Sequence, residues 1–303
     1  MTTSTTTPSR AITPLTLESG THRLQLLPEL GGSIAAWEYR VGGRWQPMLR
    51  PWNHAAPDAY TFACFPLAPW SNRIGAGGFE QDGVHYPVAP NRASEPYPIH
   101  GDAWLQAWQI EQSSPTTLTL ALTSDRFGGN PYSYRASQRF DLQADALVIT
   151  LQVTHLGKTR LPYGLGLHPF FLRDADTRLQ MQCDGLWLSR DDPMPVSHST
   201  VLPPTFDYRT AASLDGPLID HCFTGWDGKA SISYPRHGFA IDLTMAACDG
   251  YALMYRPPGL DFFCLEPITH PIDAFHMPGQ PGLRLLASGQ SMTLSLSMRV
   301  QES

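Results

Sequence analysis

Lysine is almost missing from this chain of 303 residues, in which it occurs only at Lys158 and Lys229. Charged residues of all kinds make up 16% of the sequence, and the formal net charge is −6. A protein that binds nucleic acid needs a basic stripe along which the phosphate backbone can lie. The sequence offers no such stripe, so we expect no nucleic-acid partner.

Long apolar runs are also absent, and no stretch reaches the length of a membrane helix. The first ten residues, MTTSTTTPSR, are polar and lack the apolar core of a secretory signal, so we expect a disordered tail over 1–10. The cysteines are odd in number and form no CxxC pair, which favours ordinary reduced thiols; they are Cys64, Cys183, Cys222, Cys248 and Cys264. We therefore expect a cytoplasmic protein without a membrane partner.

The common catalytic signatures are missing as well. There is no GxSxG, and the glycines of 75-GAGGFE-80 fail the GxGxxG pattern at its last position. No HExxH, His-x-His or paired-cysteine arrangement offers a metal site. From these absences we expect neither a metal nor a cofactor.

What the sequence does contain is the two-residue period of half-buried strands. Apolar residues alternate with serine, threonine and arginine through 291-SMTLSLSMRV-300, and 147-LVITLQVT-154 and 117-TLTLALT-123 repeat the pattern. The segment 38–49 predicts a hairpin that turns at Gly42-Gly43. Helical periodicity is weak, with a helical turn expected only around 53–60 and 210–215.

Alternation of this kind is typical of antiparallel sheets with one face in water. With 53 glycines and prolines, no internal repeat and no linker, the sequence predicts an all-β chain. We expect a large antiparallel β-sandwich that forms one domain over 11–303.

Two titratable residues stand out because they lie inside apolar stretches. His168 falls in 163-YGLGLHPFF-171, where Pro169 restricts its backbone and Gly164 and Gly166 leave room for a close approach. Glu266 ends the apolar run 262-FFCLEP-267. A carboxylate in such a place is costly to bury unless it is paired or functional. A packed core histidine and a structural ion pair are the competing interpretations.

Other polar residues occupy similar proline-bounded segments. Asn72 and Arg73 lie in 66-PLAPWSNRIG-75, His100 in 99-IHGDAW-104, and Asp220 in 218-LIDHCF-223. Each has a structural alternative: Arg73 as a loop staple, His100-Gly101 as a turn, and Asp220 as a cap.

Taken together, these motifs resemble the aldose 1-epimerase (galactose mutarotase) family. The resemblance rests on Asn72-Arg73, His100-Gly101, His168-Pro169, Asp220 and Glu266, which occur in family order. With the Asp-Ala-Phe that follows the glutamate, they span residues 72–275, about two-thirds of the chain. The sequence departs from the family at His276, where the family often has asparagine.

The resemblance implies a β-supersandwich fold and a free aldose as the small-molecule substrate. It implies that His168 is a general acid and Glu266 a general base, and that Arg73, His100 and Asp220 hydrogen-bond the sugar; we add Asn72 as a further positioning residue. Opening and reclosing an aldose ring needs one group that donates a proton and one that accepts it, and no cofactor.

Two alternatives stay open from the sequence. A glycoside hydrolase generally needs two carboxylates that flank the bond, whereas the best acid candidate here is a histidine. A non-catalytic sugar-binding protein has no need for both His168 and Glu266. The sequence specifies neither the preferred aldose nor the oligomeric state.

Overall fold

The structure, a computed structural model, describes residues 12–54, 57–189, 192–247 and 249–302. The tail expected over 1–10 lies outside the described residues. Within them the chain forms 25 strands, numbered in chain order: β1 Leu15–Glu18, β2 His22–Leu27, β3 Ser33–Val41, β4 Arg44–Pro47, β5 Pro66–Leu67, β6 Gly78–Gln81, β7 Val84–Pro87, β8 Gln109–Ser113, β9 Thr117–Asp125, β10 Ser133–Leu142, β11 Ala146–His155, β12 Leu161–Tyr163, β13 Gly166–Leu167, β14 Phe170–Leu172, β15 Arg178–Met181, β16 Gly185–Ser189, β17 Pro195–Ser199, β18 Ala212–Ser213, β19 Ile219–Thr224, β20 Lys229–Tyr234, β21 Phe239–Ala246, β22 Tyr251–Arg256, β23 Phe262–Ile268, β24 Arg284–Leu286 and β25 Ser291–Glu302.

Helical structure in the described residues is limited to single 3₁₀ turns, which are Ala59–Thr61, Ala103–Leu105, Phe127–Gly129, Pro204–Phe206, Pro235–His237 and Ala274–His276. The first of them confirms the turn expected around 53–60. The turn expected around 210–215 is wrong, because Ala212 and Ser213 instead form β18 and pair with β15. A short edge strand carries too few residues to show a period, so the sequence could not separate it from a turn.

Two large antiparallel sheets dominate the fold and confirm the predicted architecture. One has nine strands in the order β18-β15-β20-β21-β25-β11-β10-β9-β8. The other has the order β17-β16-β19-β22-β23-β13-β5, with β14 also paired to β23. A four-stranded sheet, β1 to β4 in sequence order, and the two-stranded sheets β12-β24 and β6-β7 complete the fold.

The two large sheets share one apolar core, which makes them a sandwich. Alternate residues of β25 are buried in it, as predicted: Met292, Leu294, Leu296, Met298 and Val300. The same core contains residues of the second sheet, among them Phe223, Met254 and Leu265. The predicted hairpin is also confirmed, since Val41 pairs with Arg44 around Gly42-Gly43 and both glycines have positive φ.

The face of the second sheet that points away from the sandwich core is covered by a second apolar cluster, on the side where the candidate site lies. Along β23, Phe263 and Leu265 enter the sandwich core, whereas Cys264 and Ile268 belong to a second apolar cluster on the opposite face. That cluster includes residues of the long connection between β4 and β8, such as Phe65. Residues of β23 are therefore buried whichever way they point.

Several further expectations can be compared with the described residues. Four cysteines, at 64, 183, 222 and 264, are free and buried, while Cys248 lies outside the described part. Within the described ranges no helix has the length and apolarity that crossing a membrane requires. The division into a tail and one domain stays a prediction.

Candidate functional site

Sheet register brings two of the predicted carboxylates to one face of the second sheet. Strands β19, β22 and β23 are neighbours, with Asp220 opposite Tyr255 and Leu253 opposite Glu266. Because side chains alternate between faces, these four residues point away from the sandwich core, toward the second cluster. The carboxylates of Asp220 and Glu266 thus reach the same pocket from strands two apart.

His168 reaches that pocket from a two-residue gap between β13 and β14. Both strands pair with β23, and the pairs on either side of the gap are Gly166–Ile268 and Phe170–Cys264. Continuing this register through the gap places His168 directly opposite Glu266. Pro169 has no N–H to give to the ladder, and the backbone N–H of His168 donates instead to the carbonyl of Phe65 at 3.0 Å. His168 Nε2 then lies 3.4 Å from Glu266 Oε1.

Packing holds the imidazole of His168 in place. Its ring packs against both Phe65 and Phe170, with centroid distances of 4.5 and 4.7 Å and an interplanar angle of 22° in each case. The room that the sequence indicated beside Gly164 is filled by the protein itself, because a Cβ there would lie 2.0 Å from the ring of His270. The glycine therefore serves close packing behind the site rather than the approach of a ligand.

Asn72 and His100 fix each other across two loops. The backbone N–H of Asn72 donates to His100 Nδ1 at 3.0 Å, and the backbone N–H of His100 donates to the carbonyl of Asn72 at 2.9 Å. Both residues have positive φ, 52° and 61°. Asparagine and histidine are among the non-glycine residues that adopt this conformation most readily. The next residue, Gly101, has no alternative, because a Cβ there would meet Ala68 O at 2.0 Å.

The loop that carries Arg73 is anchored from the segment after Glu266. His270 Nε2 accepts from the backbone N–H of Ser71 at 3.0 Å, and Asp273 Oδ1 accepts from that of Gly75 at 2.8 Å. His276, the departure from the family pattern, places Nδ1 2.7 Å from the same Asp273 oxygen. His276 therefore supports this anchor and does not line the pocket.

The guanidinium of Arg73 is already occupied on one side. Its Nε and Nη2 donate to the two oxygens of Glu95 at 2.9 and 3.2 Å. Its Nη1 donates to Asn72 Oδ1 at 3.3 Å and lies 3.9 Å from Asp220 Oδ2. The ion pair with Glu95 matches the structural alternative given for Arg73, a side chain that staples its loop to a neighbour. Both residues of this pair nevertheless line the pocket.

All six predicted site residues line one pocket of about 420 Å³. They come from the loops and strands just described: Asn72, Arg73, His100, His168, Asp220 and Glu266. The remaining lining residues include Tyr60, Arg92, Ser94, Glu95, Phe170, Tyr255 and Phe262. A pocket of this size with a few convergent polar groups suits a small polar ligand.

Sequence reasoning missed further polar members of this wall, among them Tyr60, Arg92, Ser94 and Glu95. None lies in a conspicuous motif, and the loop of Glu95 reaches the guanidinium through pairing of the two segments, such as the bridge between Arg73 and Ile99. Sequence reasoning also could not choose the aromatic residues that face the pocket, because their direction depends on the strand pairing.

Three residues that line the pocket each have a buried polar atom without a hydrogen-bond partner among the described residues: His168 Nδ1, Glu266 Oε2 and Tyr60 Oη. Buried polar atoms are nearly always satisfied, so an unsatisfied group calls for an explanation. Burial also raises the pKa of Tyr60, which keeps its hydroxyl a donor. These atoms offer both acceptor and donor capacity to a ligand with hydroxyl groups.

Burial controls the ionisation of the central pair. Desolvation lowers the pKa of His168 to about 3 and raises the pKa of Glu266 well above its ordinary value, with Asp220 adding to the rise. Burial likewise lowers the pKa of His100 well below the ordinary value, and the charge of Arg73 adds to that effect. Burial therefore favours the neutral form of the His168–Glu266 pair, imidazole with carboxylic acid, over imidazolium with carboxylate.

The atoms of His100, His168 and Glu266 lie within 4.8 Å of one another, a spacing at which three ligands can hold a metal ion. The tautomer of His100 opposes this use. Because its Nδ1 accepts from Asn72 N–H, the neutral ring carries its proton on Nε2, where a metal would need the lone pair. The arrangement suits hydrogen bonding to a ligand better than coordination.

The sequence model of the family described as aldose 1-epimerase matches residues 14–299. The chain belongs to the aldose 1-epimerase family. Membership of this family implies an epimerase-type enzyme.

Similar proteins agree with this assignment. The uncharacterized protein YphB of Escherichia coli K12 is 36% identical over 299 residues, which cover 96% of this chain and 99% of YphB. A crystal structure of a candidate aldose 1-epimerase from Escherichia coli K12 has a TM-score of 0.90 at 34% identity, over 96% of this chain and 99% of that one. The GalM/aldose epimerase homologue of C. elegans, at 15% identity, shares the fold with a TM-score of 0.81 over 95% and 98% of the two chains.

Proposed function

We propose that this protein is an aldose 1-epimerase that interconverts the α and β anomers of a free aldose. The observation that carries the proposal is the contact of 3.4 Å between His168 Nε2 and Glu266 Oε1 inside the pocket. Each residue keeps one further polar atom that has no partner among the described residues. A donor and an acceptor of protons therefore lie side by side, where a sugar can reach both.

The reaction needs two proton transfers at neighbouring oxygens of the sugar. Glu266 takes the proton from the C1 hydroxyl while His168 gives a proton to the ring oxygen, and the C1–O5 bond breaks. Rotation about C1–C2 presents the other face of the aldehyde, and the ring closes as His168 takes the proton back from the C5 hydroxyl and Glu266 gives its proton to the C1 oxygen. Each such positioned group typically contributes about 10²–10⁴-fold in rate.

The neutral form of the pair, which burial favours, is compatible with these roles. Imidazole with carboxylic acid and imidazolium with carboxylate carry the same single proton and differ only in where it lies. Sugar hydroxyls that donate to Glu266 stabilise its carboxylate, so a bound sugar favours the charged form. Burial alone favours the proton on Glu266, and hydrogen bonds from the sugar shift that preference toward His168.

The other predicted residues position the sugar. His100, with its proton on Nε2, is a hydrogen-bond donor at the pocket wall. Asn72, Arg73 and Asp220 add amide, guanidinium and carboxylate groups that match vicinal hydroxyls. The rings of Phe170, Tyr255 and Phe262 provide the apolar surface on which the C–H face of a sugar can lie.

A panel of anomer-exchange measurements tests the proposal. Purified protein is added to pure anomers of several aldoses, and the approach to equilibrium is followed by polarimetry or by NMR exchange. We expect acceleration for at least one free aldose, undiminished after exhaustive chelation with EDTA. Failure to accelerate any aldose contradicts the proposal, and loss of activity with EDTA that one divalent ion restores contradicts the proton-transfer mechanism without metal.

A further inference from the structure

The cationic groups of the pocket are each held by a carboxylate. Two arginines are among its described lining residues, Arg73 and Arg92. Glu95 binds Arg73 through two hydrogen bonds of 2.9 and 3.2 Å. Asp58 binds Arg92 in the same bidentate way, at 3.0 and 2.9 Å.

The Arg73–Glu95 pair differs from an ordinary surface ion pair in its burial. Its side chains are 11% and 19% exposed, whereas those of the bidentate pair Arg160–Asp82 are 56% and 46% exposed. Charges screened less by water interact more strongly and respond more to a change of partner. Glu95 therefore sets the charge that a ligand meets at Arg73.

We propose that Glu95 is a specificity-determining residue that, by holding Arg73 in a bidentate ion pair, excludes anionic sugars from the pocket. The inference rests on the proposed function, since it assumes that the pocket binds an aldose. Arginine is otherwise the side chain best suited to bidentate binding of phosphate or carboxylate. A sugar phosphate that entered would have to displace Glu95, and it would leave that carboxylate beside its own negative charge.

The other carboxylates near the two arginines of the pocket also disfavour an anionic ligand. Asp220 lies on the other side of Arg73, 3.9 Å from Nη1, and adds a second carboxylate to this guanidinium. Around Arg73 and Arg92 together, the carboxylates of Glu95, Asp58 and Asp220 outnumber the two cations. Like charges placed together at a binding site weaken binding, which is how such sites reject wrong partners.

The test compares a neutral sugar with its phosphate in the full-length protein. Dissociation constants of D-galactose and D-glucose, and of their 6-phosphates, are measured by titration calorimetry for wild type and for Glu95→Gln. The glutamine keeps the shape and one acceptor for Arg73 but removes the negative charge. We expect the wild type to bind each phosphate at least about tenfold more weakly than the parent sugar, and the ratio to shift by about tenfold toward the phosphate in the variant.

Two further variants complete the design. Asp58→Asn removes the counter-charge of Arg92 while its amide oxygen still accepts from Tyr60 N–H, so the ratio should shift in the same direction even where Glu95→Gln does not fold. Asp82→Asn makes the matched change in net charge at the exposed pair with Arg160, outside the pocket lining. This control should leave the ratio as in wild type.

Several results would overturn the inference. One is a wild type that binds a sugar 6-phosphate as tightly as the parent sugar. Another is a folded Glu95→Gln variant that binds neutral sugar and keeps the wild-type ratio or, where that variant does not fold, an Asp58→Asn variant that does so. An equal shift in Asp82→Asn would assign the effect to net charge alone and overturn it too. A wild type that binds none of the four sugars and exchanges no anomers contradicts the proposed function itself, a distinct result that removes the basis of this inference.

Discussion

Strands β25 and β23 each belong to a large sheet of this sandwich, but they meet different surroundings. One face of β25 is buried in the core, and the opposite face is turned toward solvent. There the amide of Gln152 on β11 donates a hydrogen bond to the hydroxyl of Thr293, and the hydroxyls of Ser291 and Thr154 share another. On β23 both faces are buried, and Glu266 keeps an oxygen without a partner among the described residues.

The comparison distinguishes the polar side chains of β25, which the fold accommodates at the surface, from Glu266 of β23, whose burial the fold alone does not explain. Outward-facing serines and threonines cost the fold little stability, because their hydroxyl groups form hydrogen bonds with water or with one another. A buried carboxylate without full hydrogen bonding costs several kcal/mol unless it stays protonated. On β23 the neighbouring positions 265 and 266 therefore do different work: Leu265 fills the core, and Glu266 serves the pocket.

The largest expected effect is on turnover. His168→Asn and Glu266→Gln each preserve shape but remove one proton-transferring group, so we expect anomer exchange to fall by about 10²-fold or more. Folding, followed by circular dichroism, and sugar binding, followed by calorimetry, should persist in both. A stable His168→Asn variant that exchanges anomers near the wild-type rate would make the imidazole a packed core residue.

The neighbouring core position should show the opposite behaviour. Leu265 is fully buried in the sandwich core, so Leu265→Ala should lower the free energy of unfolding by about 2–5 kcal/mol. At temperatures where the variant is folded, anomer exchange should stay near wild type. Urea unfolding and anomer exchange on the same samples check this, and a variant of normal stability with lost activity would break the contrast.

A smaller effect is expected at the groups that position the sugar. Arg73→Ala and Asp220→Ala each remove a charged hydrogen-bonding group, which typically contributes about 1.5–3 kcal/mol, or roughly 10–150-fold in affinity. Turnover falls as well if the sugar loses its orientation. Calorimetric dissociation constants for the preferred aldose test this, and unchanged binding and turnover in both variants would assign these residues a structural role.

The smallest effect is expected at Tyr60, whose hydroxyl has no partner among the described residues. If that hydroxyl donates to the sugar, Tyr60→Phe should weaken binding by about 1 kcal/mol, or roughly fivefold. The ring remains over Arg92, whose Cζ lies 4.0 Å from its centroid, so stability should change little. Tighter sugar binding in the phenylalanine variant would contradict the hydrogen bond.

Much of the architecture was predictable because long strands repeat a simple period. The alternation of β25 and β11 identified both buried faces, and Gly42-Gly43 identified the hairpin. Short elements such as β18 were missed, since two residues show no period. Local sequence carries little information where pairing with a distant partner decides the structure.

The candidate site was likewise predictable only where local sequence identifies a residue. His168 and Glu266 were recognised by their apolar surroundings and by resemblance, but their contact depends on the register of β13, β14 and β23, which neither segment encodes alone. Glu95 was missed for a related reason, because its ion pair joins two loops that meet only in the fold. Whether these residues perform the assigned roles stays a prediction that the variants above test.

The central claim is that His168 and Glu266 act as one proton-exchanging unit, and a double-variant cycle tests it most directly. Anomer-exchange rates of wild type, His168→Asn, Glu266→Gln and the double variant are measured by NMR on the preferred aldose. Since either loss disables the same exchange, the double variant should be scarcely slower than the slower single variant. Losses that multiply, with each single variant keeping independent activity, would contradict the account.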